Sequence, residues 1–191
     1  MKVFEKRIVY FGSPGEENTD QVLSLAKKRA EELGIKDIVV ASTRGNTGVK
    51  ASEIFKGYNL VVVSHCTGFR EPGHQELTEE NRRKIRENGG KIFTGTHVFM
   101  GVERAIRSKF GTAYPAEIMA QTLRLFGEGM KVAVEIVAMA ADAGLIPADR
   151  EVISIAGTGR GADTAIVVQP ANSSRIFDMV IKEVIAKPRS K

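Results

Sequence analysis

The sequence predicts an α/β protein with a mostly parallel sheet. Three observations carry that expectation. Short apolar runs alternate with longer segments of helical periodicity. Leu60-Val61-Val62-Val63 is apolar at every position, the pattern of a strand covered on both faces, as parallel strands are. Two further runs, Glu151–Ala156 and Ala165–Val168, are joined by a connection too short for a crossover helix, so they are expected to pair antiparallel.

The elements follow in chain order. Arg7–Gly12 reads as a strand ending in a Gly-Ser-Pro-Gly loop. Asn18 or Thr19 then caps a helix with an apolar stripe of Val22, Leu23, Leu25, Ala26 and Ala30, and Gly34 ends it. Ile38–Ala41 is the second strand. A helix follows Ser42–Gly48 and stops near Lys56 and Gly57. After the third strand comes the loop His65–His74. Thr78 caps a charged helix to Glu87, which Gly89-Gly90 stops. Lys91–Thr96 is strand-like. Helices are expected near Val102–Lys109, over Pro115–Leu125 with proline as first residue, and over Met130–Ala143. This last helix is apolar on most sides and therefore buried, with Lys131 and Glu135 spaced to pair at i,i+4. Ser174–Ala186 fits a helix, although Val180–Ile185 also fits a strand.

The bulk numbers narrow the function classes. A length of 191 residues suits one domain over 1–191. The formal charge of +5 is spread over segments of mixed sign, and no stretch interleaves Lys and Arg with aromatics. Nucleic acid is therefore not an expected partner. No apolar run reaches the roughly 18–20 residues of a membrane helix, and Met1–Arg7 lacks a signal-peptide core. The only cysteine, Cys66, rules out an internal disulfide and a cysteine-rich zinc site. A cytoplasmic location without membrane contact is expected.

Ligands of parallel sheets bind outside the carboxyl ends of the strands. The loops expected there are Gly12–Thr19, Ser42–Gly48, Ser64–Gln75, Thr94–His97 and Gly157–Thr164, and they hold all three histidines, His65, His74 and His97. Ser42-Thr43-Arg44-Gly45-Asn46-Thr47-Gly48 suits a phosphate: glycine lets N–H groups turn inward, and a helix N-terminus follows. A capped turn with no ligand would use the same residues. In Gly157-Thr158-Gly159-Arg160-Gly161-Ala162-Asp163-Thr164 the glycines would admit a ligand or simply form a hairpin. Phe69 would stack on a flat ring or close its loop over the core. Cys66 next to His65 lies on an extended segment, whose neighbours point apart, so a thiolate–imidazole pair is disfavoured. The histidines lack metal-ligand spacing, and no metal is expected. His65 and His97 are the candidate proton carriers.

Several segments together resemble a known family. Asp37–Ser64 (DIVVASTRGNTGVKASEIFKGYNLVVVS) and Lys131–Val168, with GTGRGADTA at Gly157–Ala165, resemble the C-terminal α/β domain of pyruvate kinase. With ENTDQVL at Glu17–Leu23, SHCTGF at Ser64–Phe69 and TGTH at Thr94–His97, the chain is similar to stand-alone archaeal members of that family. The resemblance implies a three-layer α/β/α sandwich with a mixed sheet and an antiparallel last strand. It implies a phosphorylated ligand on Ser42–Gly48, since that loop of the kinase domain holds an activator phosphate. For the stand-alone members it implies flavin mononucleotide (FMN). The FMN contacts would fall on Asn18, Thr19, Ser42, Thr43, Arg44, Gly45, Asn46, Thr47, Gly48, His65, Thr67, Gly68, Phe69, Thr96, His97 and Gly157–Thr164, a flavoprotein whose reaction, if any, would be an oxidoreduction. A regulatory module for a sugar phosphate or nucleotide is the alternative. The pyruvate kinase reaction is not carried over, because its catalytic barrel does not fit in this chain. The helices over Val102–Leu125 are an addition to the kinase pattern and suggest a homo-oligomer contact.

Overall fold

The computed structural model describes residues 3–190. The elements are β1 (Val9–Phe11), α1 (Thr19–Leu33), β2 (Asp37–Ala41), α2 (Asn46–Ile54), β3 (Asn59–Ser64), α3 (Glu79–Glu87), β4 (Lys91–Thr94), α4 (Gly101–Phe110), α5 (Pro115–Arg124), α6 (Glu128–Asp142), β5 (Val152–Ala156), β6 (Thr164–Gln169) and β7 (Val180–Pro188). The strands form one seven-stranded sheet in the order β1-β7-β6-β5-β2-β3-β4. Pairs β1–β7, β5–β2, β2–β3 and β3–β4 are parallel, whereas β5–β6 and β6–β7 are antiparallel.

Local chemistry explains the element ends. α1 stops where Gly34 takes φ 68° and its N–H returns to the carbonyls of Ala30 and Glu31. The Thr78 hydroxyl accepts from the N–H of Asn81 and starts α3. Pro115 opens α5, where its missing N–H costs nothing.

Alternating side chains send each central strand into two cores. Ile38, Val40, Leu60, Val62, Ile153 and Ile155 meet Val22, Leu23, Ala26, Ala51 and Ile85 of α1, α2 and α3, and Phe55 just after α2. On the opposite face Val39, Val61, Val63, Val152, Ile166 and Val168 meet Ala120 of α5 and Met130, Val137 and Met139 of α6. This is the expected three-layer α/β/α sandwich with a mostly parallel sheet. The segment left open between helix and strand resolves into a short 3-10 turn over Ser173–Asp178 followed by β7. Its β-branched residues Val180, Ile181 and Val184 pair with β6 while Ala186–Pro188 pair with β1, and that pairing overrides helical spacing.

In a sheet of this topology the loops after β1, β2, β3, β4 and β5 emerge at one end. β2 leads outward to β3 and β4, and the chain then returns to β5 on the other side of β2. That reversal places the switch point between β2 and β5. Beyond β4, α4 buries none of its residues fully and leaves Val102 and Phe110 exposed. No described helix is long and apolar enough to cross a membrane.

Candidate functional site

The loop from β2 to α2 is built to leave backbone donors open. Ser42 is buried and tied from both sides: its N–H donates to Val63 O at 2.9 Å, and its Oγ accepts from Gly48 N–H at 2.9 Å. Gly45 precedes the helix with φ 101° and offers no capping side chain. Among the described residues, no acceptor meets the N–H groups of Thr43, Arg44, Gly45, Asn46 and Thr47. α3 holds the loop from outside, with Asn81 Nδ2 donating to Arg44 O and to Asn46 Oδ1, each at 2.9 Å. Gly45 is required by this packing: a Cβ there would lie 2.5 Å from Asn81 Cβ and 2.7 Å from Leu77 Cδ1. The Arg44 side chain is exposed.

Two histidine–carboxylate pairs stand beside this loop. His65, just past β3, places Nδ1 at 2.7 Å from Glu76 Oε2 and Nε2 at 3.3 Å from Thr43 Oγ1. The Glu76 side chain is 8% exposed and also meets Arg70 at 3.4 Å. Burial pushes the His65 imidazole below its ordinary pKa, outweighing the upward pull of Glu76. His97, just past β4, accepts from Cys66 N–H on Nε2 at 3.4 Å. That contact leaves the proton on Nδ1, which faces Glu135 Oε2 at 3.4 Å. Glu135 also accepts from Lys131 Nζ at 2.5 Å and from Phe99 N–H at 3.0 Å. Burial pushes the Glu135 carboxyl up, but the His97 hydrogen bond and the Lys131 charge outweigh it and hold the group at about 2. The two imidazoles lie 5.5 Å apart.

A cleft of about 340 Å³ opens over the ends of β3 and β4, lined in part by Cys66, Phe69, Thr96, His97 and Arg104. Phe69 stacks on His65 with centroids 3.9 Å apart, and its carbonyl accepts from Arg104 at 3.2 Å. The guanidinium of Arg104 lies over the Phe69 ring at 4.7 Å. A larger depression of about 520 Å³, around Lys36, Asp37 and Arg150, lies at the opposite end of the sheet, where β2 and β5 begin.

The glycine-rich loop after β5 spends its polar groups inside the protein. Buried Asp163 accepts from Gly15 N–H, Thr158 N–H and the Thr164 hydroxyl. Thr19 Oγ1 accepts from Ala162 N–H and donates to Glu16 O, while Asn18 Nδ2 donates to the carbonyls of Ser13 and Gly15. A Cβ on Gly157 would meet Gly161 O at 2.5 Å, and one on Gly161 would meet Glu16 Cα at 2.5 Å. These glycines admit the chain's own backbone, while Gly159 and Arg160 remain exposed.

The expected site residues therefore separate into groups. Thr43 and His65 meet, and Gly68, Phe69, Thr96 and His97 share the cleft. Asn18 and Thr19 join Ala162 and Asp163 in a stitch between the β1 and β5 loops. Thr67 is exposed and accepts from Gln75 at 3.3 Å. Exposed His74 is not among the cleft-lining residues. Cys66 is a free thiol that contributes its backbone N–H to His97. Among the described residues no cluster of His, Cys, Asp or Glu is arranged to hold a metal. Sequence reasoning missed Glu76 and Arg104, which carry no local signal. Lys131 and Glu135 were visible as charges on an apolar helix, but their link to His97 was not.

The family model for the pyruvate kinase α/β domain matches residues 20–168. The chain belongs to that family. Among solved structures it is similar to pyruvate kinase of Cryptosporidium parvum, at 12% identity and TM-score 0.42 over 80% of this chain and 23% of that one. A second structure, of the same organism's pyruvate kinase in complex with ADP, matches at 11% identity and TM-score 0.38, over 89% of this chain and 24% of that one. The chain thus spans about a quarter of the length of those pyruvate kinases.

This assignment overturns the expectation of a flavoprotein function, and the regulatory module offered as alternative is no better supported: the family model that matches is that of the pyruvate kinase α/β domain. Phe69, the ring expected to receive the isoalloxazine, is already packed by His65 and Arg104. The residues lining that cleft include none of Ser42–Gly48 or Gly157–Thr164.

Proposed function

We propose that this domain binds a small phosphorylated ligand, with the phosphate seated at the N-terminus of α2. The run of open N–H groups from Thr43 to Thr47 carries the reading. A turn that existed only to start a helix would spend its side chains on these donors. Here the Ser42 hydroxyl takes only the Gly48 N–H, Asn46 is held by Asn81, and the N–H groups from Thr43 to Thr47 keep no protein acceptor. The partial positive charge of the helix end favours an anion, and among the described residues no carboxylate pairs with Arg44.

Titration of ¹⁵N-labelled protein with inorganic phosphate tests this. The amides of Arg44, Gly45, Asn46 and Thr47 should shift together and saturate. Arg44→Ala should weaken binding by about fivefold, the effect of a contact of roughly 1 kcal/mol. Non-saturating shifts, or shifts confined to the basic segment around Lys187 and Arg189, would refute the proposal.

A further inference from the structure

Thr43, His65 and Glu76 form a continuous hydroxyl–imidazole–carboxylate chain, with Thr43 Oγ1 at 3.3 Å from His65 Nε2 and His65 Nδ1 at 2.7 Å from Glu76 Oε2. We propose that Thr43 is a nucleophile and that the site hydrolyses a phosphomonoester through a phosphothreonine intermediate. The proposal rests on the phosphate reading above and adds a reaction to it.

Each member has the position its role needs. Glu76 accepts from Nδ1–H, so Nε2 presents its lone pair to the Thr43 hydroxyl. The contact is long for a catalytic hydrogen bond, as is usual before substrate binds. Burial keeps the imidazole in its neutral, basic form at pH 7. Its plane is fixed by the stacked Phe69 ring. Thr43 sits at a strand–turn–helix corner whose flanks are pinned: Ser42 to Val63 and Gly48, and Arg44 O to Thr78 N–H and Asn81. This is the placement that exposes a nucleophile at the end of a sheet, and the N–H of the next residue, Arg44, is open beside it.

The chemistry balances with water as the only co-reactant. His65 Nε2 takes the proton from Thr43 Oγ1 as the oxygen forms a bond to phosphorus and the ester P–O bond breaks. The departing alkoxide, on the far side of the in-line displacement, takes its proton from a water molecule there, and the imidazolium holds the Thr43 proton. The hydroxide so formed bonds to phosphorus from that side while the Thr43 Oγ1–P bond breaks, and the His65 imidazolium returns its proton to Oγ1, restoring the hydroxyl. Ester and water become alcohol and inorganic phosphate. The open N–H groups and Arg44 stabilise charge on the phosphoryl oxygens in both steps.

The full chain is assayed with p-nitrophenyl phosphate, and acid-quenched samples are measured by intact mass. A covalent phosphoryl adduct on the peptide containing Thr43 is expected. Thr43→Ser should keep the adduct and turnover within about tenfold, whereas Thr43→Ala should lose both. Loss of base catalysis in His65→Asn should cost about 10²–10⁴ in kcat. The groups facing His65 are Glu76, Arg70 through that carboxylate, His97 and Thr43. In their field the acidic limb of kcat/KM should lie below pH 6.5, and Glu76→Gln should move it, which a purely structural role would not. Turnover by Thr43→Ala at the parent rate would overturn the nucleophile. Saturable phosphate binding with neither adduct nor hydrolysis would overturn the reaction and leave the phosphate reading standing. Failure of phosphate to bind would remove both. Thr43-dependent cleavage of p-nitrophenyl acetate alone would overturn the phosphomonoester assignment.

Discussion

Glu135 should be the largest single source of acid sensitivity in this domain. Its side chain is 2% exposed, and its pKa is held at about 2 instead of 4.5. At about 1.4 kcal/mol per tenfold change in proton affinity, the bound ionised form contributes roughly 3 kcal/mol. Because the folded pKa is the lower one, this stability is complete above pH 4.5 and drains away as pH falls through about 2. Roughly 2 kcal/mol of it should be gone by pH 3. The perturbation is Glu135→Gln, alone and with Lys131→Met. The single change strands Lys131, whose side chain is 3% exposed, and should cost about 3–5 kcal/mol at pH 7. The double variant removes both charges and should recover most of that loss. Urea unfolding at pH 7 and pH 3 is the assay. The parent should lose about 2 kcal/mol more than the double variant over this interval, with His97 present in both. Parallel pH profiles for the two proteins would show that Glu135 is not held ionised by Lys131 and His97.

Two further changes probe the loops. Gly45→Ala combines a φ of 101° with overlap against Asn81 and Leu77, so it should cost about 2 kcal/mol or more in urea unfolding; an unchanged midpoint would show that the loop relaxes freely. Its effect on ligand binding is therefore inseparable from stability, and Arg44 is the better probe. Asp163→Ala would leave the N–H groups of Gly15 and Thr158 without their acceptor and should cost about 2–3 kcal/mol, with faster amide exchange at both; unchanged exchange would argue against the stitch.

The fold was legible because its signals are local. All-apolar Leu60–Val63 announced a doubly covered strand, Gly34 and Thr78 marked helix ends, and the short connection before Ala165 fixed an antiparallel pair. β7 was less legible because its choice between helix and strand depended on neighbours, β1 and β6, that lie far away in the chain. The site divides in the same way. The sequence by itself placed Ser42–Gly48 after a strand and before a helix, and placed His65 and His97 at strand ends, since period and turn residues determine those positions. Only the tertiary structure decided what these residues face. Side-chain partners such as Glu76, Glu135 and Arg104 come from loops and helices 11, 38 and 35 residues removed from His65, His97 and Phe69, and sequence spacing carries no information about such contacts. For the same reason the Gly157–Asp163 loop, which in sequence reads equally as a ligand cradle or a plain hairpin, closes on the backbone of the β1 loop in space.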